Sequence, residues 1–225
     1  MILNILAFVF GAAIGSFLNV CIFRLPAAQS IVKPRSRCPR CHHPIRFYDN
    51  IPLISYLILR GKCRDCGEKI SWRYPLVEFI TAVFSSLLFA KFQLTLHFPV
   101  FFIFTAVLIV ITFVDIDHQI IPDVLTLPGI PLFFLAAVFI VKLPWLEALI
   151  GMVSGGGVLL VVALVYELVA GREVMGGGDI KLLAMIGGFL GWKSLIFIVL
   201  FSSLLGAVVG IAVMILKKED MKYAV

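Results

Sequence analysis

Leu195-Ile196-Phe197-Ile198-Val199-Leu200-Phe201-Ser202-Ser203-Leu204-Leu205-Gly206-Ala207-Val208-Val209-Gly210-Ile211-Ala212-Val213-Met214-Ile215-Leu216 passes without a single charge. Coiled as an α-helix, a run of this length is long enough to cross a hydrocarbon core about 30 Å thick. Lipid offers no partner to backbone N–H and C=O groups, so a crossing segment must satisfy its own, and a helix does. Working back along the chain, six further apolar segments follow the same logic: Ile2–Phe23, Leu76–Phe98, Val100–Val114, Val124–Val141, Leu146–Ala170 and Ile180–Leu190. That makes about seven candidate crossings. Val100–Val114 and Ile180–Leu190 are short for a full span, so six or eight also fit.

Composition agrees with an integral membrane protein. Of 225 residues 61% are hydrophobic and 14% charged, and the mean hydropathy is +1.09, too little polar surface to coat a soluble core. The expected fold class is all-α and polytopic. Met1 to Cys21 is apolar with no basic residue ahead of it and Arg24 behind it, the pattern of a retained first helix with its N-terminus outside. The expected organisation is a first transmembrane helix over 1–23, a cytoplasmic insert over 24–73 and a membrane domain over 74–225.

The insert carries the charge. Arg24 to Arg73 holds eleven basic residues against Asp49, Asp65 and Glu68, whereas the rest of the chain holds eight basic and ten acidic, so the net +6 originates here. A basic loop of this length is kept on the cytoplasmic side and orients the spans around it. From that start the Asp115–Asp123 loop, the Gly171–Asp179 loop and the Lys217-Lys218 tail also face the cytoplasm, leaving Lys91, Lys142, Lys193 and Glu147 in the outer turns. Attraction to anionic headgroups is a second use for the basic residues. Nothing in the pattern points to nucleic acid.

Inside the insert, Cys38-Pro39-Arg40-Cys41 and Cys63-Arg64-Asp65-Cys66 form two Cys-x-x-Cys knuckles separated by 21 residues. That spacing suits a tetrahedral four-thiolate zinc site joining the ends of a loop that has no core of its own. Gly61 and Gly67 stand where tight turns are needed. Four thiolates and Zn²⁺ sum to −2, which the basic neighbours offset. Redox or disulfide knuckles are the alternative, disfavoured in a reducing cytosol. His42 and His43 are left with no necessary ligand role, and Cys21, alone in an apolar helix, reads as a packing residue.

Acids at the membrane carry the second signal. Asp179 closes Met175-Gly176-Gly177-Gly178-Asp179 between two apolar segments. An unpaired carboxylate in hydrocarbon costs at least ~2.5 kcal/mol, so such acids are functional candidates by default. Asp115, Asp117 and Asp123 follow the span that ends at Val114. Of these Asp115 lies deepest, Asp117 falls further into the loop with His118, and Asp123 after Pro122 suits a helix cap. Two neighbouring carboxylates share a proton because both cannot ionise easily, so one serves as base and the other as acid. Such a pair can hydrolyse an amide without a metal or a nucleophilic side chain. Asp115 and Asp179 are the expected pair, and the three glycines before Asp179 would let a peptide backbone come close. Asp179 would also cap a helix beginning at Ile180. Serine-triad, His-Glu-x-x-His and phosphate-loop patterns are absent. Lys181 reads as an interface anchor. Gly11 with Gly15, Gly151 with Gly155 and Gly206 with Gly210 each make a Gly-x-x-x-Gly pair suited to close helix packing.

The ordered set of motifs resembles the type IV prepilin peptidases, bifunctional leader peptidases and N-methyltransferases of bacterial pilus, type II secretion and competence systems. The resemblance covers Gly15-Ser16-Phe17-Leu18-Asn19-Val20 with Arg24-Leu25-Pro26, the double Cys-x-x-Cys insert, and Arg73-Tyr74-Pro75-Leu76-Val77-Glu78. It continues through Asp115-Ile116-Asp117-His118 with Ile121-Pro122-Asp123, and Gly176-Gly177-Gly178-Asp179. It implies an aspartic endopeptidase of the inner membrane, with Asp115 and Asp179 catalytic at the cytoplasmic face. The substrates implied are prepilins or pseudopilins, cut after a Gly that ends a basic leader. It further implies methylation of the new N-terminal residue by S-adenosylmethionine. Two rival readings follow from the acids alone: a presenilin-like peptidase with a dyad deep in the bilayer, and a transporter or assembly scaffold using them to bind protons or cations.

Overall fold

A computed structural model describes residues 2–170 and 176–217. It is all-helical, with no strand among the described residues: α1 (Ile2–Arg24), α2 (Ile54–Ile58), α3 (Arg73–Phe92), α4 (His97–His118), α5 (Asp123–Phe139), α6 (Trp145–Ala170), α7 (Gly177–Leu190) and α8 (Trp192–Lys217). Among the described residues five helices, α1, α3, α4, α6 and α8, are long and apolar enough to cross a membrane, while α5 is a shorter apolar helix. The part of the Gly171–Asp179 loop from Gly171 to Met175, and Lys218 of the tail, lie outside the described residues.

Three boundaries differ from the sequence reading. The third helix stops at Phe92 rather than Phe98, because Gln93 takes φ +51° and its N–H closes on the Phe89 carbonyl at 2.8 Å. The fourth helix runs through the acids to His118, ending in a left-handed Gln119 whose N–H reaches the Asp115 carbonyl at 2.8 Å. Asp179 is not the cap of α7. Gly176 holds that position with an extended backbone, and Asp179 lies in the first turn.

The chain divides into two compact units, Met1–Thr126 and Leu127–Val225. In the first, α1 packs along α3 at the closeness that Gly11 and Gly15 permit. A Cβ at Gly11 would run into Ser85 and the Ala82 backbone, and one at Gly15 into the Glu78 backbone. The Ser85 hydroxyl donates to the Ala7 carbonyl at 2.7 Å. The core beneath joins Leu18, Cys21 and Ile22 of α1 to Val77 of α3 and to Ile109, Val110 and Val114 of α4, so Cys21 is a packing residue.

In the second unit α6 and α7 meet through Gly151, Gly155 and Gly187. A side chain at Gly151 would strike the Gly187 carbonyl, and one at Gly155 the Leu183 carbonyl. Met185 fills the space beside Gly129, and the Phe133 and Phe189 rings lie 5.5 Å apart. Gly206 and Gly210 depart from expectation, with nothing near the space a Cβ would take among the described residues. Their pair sits on an exposed stretch of α8.

Candidate functional site

The four cysteines come together. Their sulfurs all lie within 4.8 Å of one another, with Cys38 Sγ and Cys66 Sγ 3.8 Å apart. A tetrahedral ion with metal–sulfur bonds of ~2.3 Å holds its sulfurs ~3.8 Å apart, so the cluster has the dimensions of a metal centre.

Each knuckle is a self-contained turn, and the two repeat one another. In the first, the Cys38 N–H donates to the His43 carbonyl at 3.0 Å, the His42 N–H to the Cys38 carbonyl at 3.0 Å, and Arg37 bridges Pro44. In the second, the Cys63 N–H donates to the Glu68 carbonyl at 2.7 Å, the Gly67 N–H to the Cys63 carbonyl at 3.0 Å, and Lys62 bridges Lys69. The residue after the second cysteine is left-handed in both, Gly67 at φ +71° and His42 at φ +56°. Glycine enters that region freely and histidine only with effort. His42 is thus a turn residue, a role that its sequence context did not mark. Gly61 is left-handed too, at φ +66° against Tyr56.

The thiols are unequal. Backbone N–H groups of Cys41 and Arg40 lower the Cys38 thiol to about 7. The Glu68 N–H pulls the Cys66 thiol down, but burial and the thiols of Cys63, Cys38 and Cys41 outweigh it and push it up to about 12. Four clustered thiols cannot all ionise by themselves, whereas a divalent cation among them lets all four do so. Around them Arg64 holds Asp49 through Nε and Nη2 at 2.6 to 3.1 Å, and Arg40 pairs with Glu68.

The insert, and the start of α3 that follows it, are held to the first unit's helices at three points. The Asn19 side-chain amide donates to the Tyr74 carbonyl at 3.0 Å. Glu78, buried in α3, accepts the Leu53 N–H at 2.8 Å. Arg73, where the insert becomes α3, pairs with Asp117 and donates to the Phe113 carbonyl at 2.7 Å, its guanidinium 5.0 Å from the centre of the Phe113 ring. The last two bonds are between residues 25 and 40 apart, and short-range pattern could not reveal them.

Asp115 and Asp179 occupy opposite kinds of helix terminus. Asp115 lies in the last turn of α4 in the first unit, exposed, with Asp117 and His118 in the same turn. Asp179 lies in the first turn of α7 in the second unit, also exposed, its N–H 3.3 Å from the Gly176 carbonyl. Among the described residues a Cβ at Gly176 or Gly177 would meet nothing, which leaves room there for an approaching chain.

Comparison with known proteins decides the family. Residues 9–92 match the bacterial peptidase A24 N-terminal domain, and residues 102–211 match the type IV leader peptidase family. The chain belongs to the type IV leader peptidase family. Curated relatives carry the name prepilin leader peptidase/N-methyltransferase. That of Myxococcus xanthus is 43% identical over 209 residues, covering 92% of this chain and 62% of the relative. Those of Aeromonas salmonicida and Pseudomonas aeruginosa are each 40% identical, covering 95% and 93% of this chain and 82% and 80% of theirs. No solved structure matches this leader peptidase chain.

Proposed function

We propose that this chain removes the leader from prepilins or pseudopilins and then methylates the exposed N-terminus. The observation that carries this reading is the paired family match along the chain, together with the name that relatives about 40% identical share. Asp115 and Asp179 are the catalytic residues in this reading. One carboxylate takes a proton from water as the oxygen attacks the scissile carbonyl, while the other, protonated, donates to the carbonyl oxygen; the first then passes its proton to the leaving amine as the second recovers one from the collapsing gem-diol. Their titration belongs to the pair. The last turn of α4 and the first turn of α7, each at the end of an apolar helix, suit a bond lying at the membrane surface between a basic leader and an apolar segment.

Cytoplasmic placement of the insert and both aspartates is supported by the basic balance of Arg24–Arg73, and the inner membrane is the location that the family resemblance implies. Cys38, Cys41, Cys63 and Cys66 hold Zn²⁺, which when bound supplies structure rather than chemistry, closing the insert around a fully coordinated ion. The methyl donor is S-adenosylmethionine, a co-substrate inferred from the relatives' N-methyltransferase name.

Cleavage of a prepilin-type substrate by purified protein in liposomes tests the reading by product mass. Asp115→Asn and Asp179→Asn are each expected to lower the cleavage rate by 10² or more, the order that a positioned proton-transfer group contributes. A product heavier by one methyl group in the presence of S-adenosylmethionine supports the second activity. Undiminished cleavage by either variant removes that residue from the pair, and absence of cleavage by folded wild type overturns the peptidase reading.

A further inference from the structure

The insert carries an apolar face that its metal centre does not use. On α2, Ile54, Leu57 and Ile58 stand at positions i, i+3 and i+4, one side of the helix, and are 55%, 74% and 69% exposed. The opposite side is engaged. Ser55 is buried and donates to the Tyr48 carbonyl at 2.8 Å, and the Tyr56 hydroxyl reaches the Ile70 carbonyl.

The height of this helix is fixed by Glu78. Its carboxylate accepts the N–H of Leu53, the residue just before α2, at 2.8 Å. Leu53 holds φ +61°, a conformation a leucine rarely adopts, and the bond to Glu78 secures it there. Glu78 lies five residues into a membrane-spanning helix, ~7.5 Å along its axis at 1.5 Å per residue. The start of α2 is therefore level with the second turn of a span. Trp72, 70% exposed, immediately precedes that span, where indole rings favour the headgroup level. Arg60, Lys62 and Lys69 follow on the exposed surface of an insert with eleven basic and three acidic residues.

We propose that α2 lies in the bilayer interface, Ile54, Leu57 and Ile58 seated at the acyl boundary and the neighbouring basic residues on anionic phospholipid headgroups. The insert is then a membrane-lying lobe rather than a free cytoplasmic loop. A basic surface with an apolar stripe at this depth is complementary to an anionic leaflet. It repels a basic peptide. The inference is independent of the peptidase reading, since it rests on depth, exposure and charge.

Full-length protein in phosphatidylcholine vesicles, with or without phosphatidylglycerol, tests it. With Trp72, Trp145 and Trp192 changed to Phe, Leu57→Trp is expected to emit at blue-shifted wavelengths. Its emission should be quenched by lipids brominated near the headgroup, more strongly with phosphatidylglycerol present, and be shielded from acrylamide. Because that variant can fail to fold, wild-type protein is also irradiated with a photoactivatable phospholipid, and adducts are expected on the peptide spanning residues 53–59. Water-like emission with no such adducts overturns the proposal. So does a blue shift that arises only when a substrate peptide is added, which would make α2 a protein-docking face. Equal quenching with and without phosphatidylglycerol overturns the anionic part.

Discussion

Arg73 sits at the first turn of α3, the positive end of a helix dipole, where a cation is normally disfavoured. Its partners explain the placement. The guanidinium answers the negative end of α4, pairing with Asp117 and donating to the Phe113 carbonyl, in the turn before the last of a helix that carries two acids in its final turn. Under the proposed function it is a positioning residue for Asp115. Arg73→Gln is expected to lower kcat on the order of tenfold, ~1.4 kcal/mol, with KM little changed. Arg73→Lys should recover part of the loss, because a point charge replaces the charge but not the fork. Steady-state cleavage kinetics check both. Asp49 offers a prediction in pH. Arg64 hydrogen-bonds its carboxyl and holds it below the usual carboxylate range. Stability from this pair is therefore complete above the unfolded carboxyl's value of ~3.9 and is lost as pH falls through the lower folded value. Limited proteolysis of the insert on acidification should show this loss in wild type, and Asp49→Asn should lack that component.

At the scale of elements, glycine spacing foretold two helix contacts out of three. Gly11 with Gly15 and Gly151 with Gly155 both meet backbone, whereas Gly206 and Gly210 meet nothing among the described residues. The motif reports that a backbone can be approached closely; the partner helix is decided by the rest of the fold. Gly151→Leu is accordingly expected to destabilise by ~1–3 kcal/mol through overpacking against α7. Gly206→Leu should stay within ~0.5 kcal/mol of wild type. Thermal unfolding in detergent, followed by helix signal, separates the two. Element ends were less legible. Hydropathy stopped the fourth helix at Val114 because Asp115 and Asp117 are charged, yet backbone hydrogen bonding carries the helix on to His118 and a left-handed Gln119 closes it. Likewise Asp179 looked like a cap because Asp is a good one, but Gly176 already supplies the extended backbone, which moves Asp179 inside the first turn. The four-cysteine cluster was legible throughout, since two knuckles of fixed spacing have few ways to use four sulfurs. Arg73 with Asp117, and Glu78 with Leu53, were not, because nothing local couples residues so far apart.

Across the whole chain, apolar helices and a basic insert are stabilised by different means. The helices rest on close backbone packing and lipid, while the insert rests on its sulfur cluster, a few ion pairs and its ties to α3. Metal removal should therefore act selectively. Treating the reconstituted protein with a chelator and a thiol-blocking reagent is expected to make residues 37–69 protease-sensitive while the helical circular dichroism of the spans is retained. Wholesale loss of helix on the same treatment would mean that the spans depend on the insert. The repeated knuckle also sets an order of events during biosynthesis. Arg37–Pro44 and Lys62–Lys69 each close on themselves through bonds at most nine residues apart, so each can form on the microsecond scale of a small hairpin as it leaves the ribosome. Bringing the halves together requires closing the longer loop between them, an entropic cost that grows only with the logarithm of its length. The slow step in maturation of the insert is then the encounter of two ready-made halves, and a nascent chain that has emerged only as far as Asn50 already presents a two-sulfur half-site.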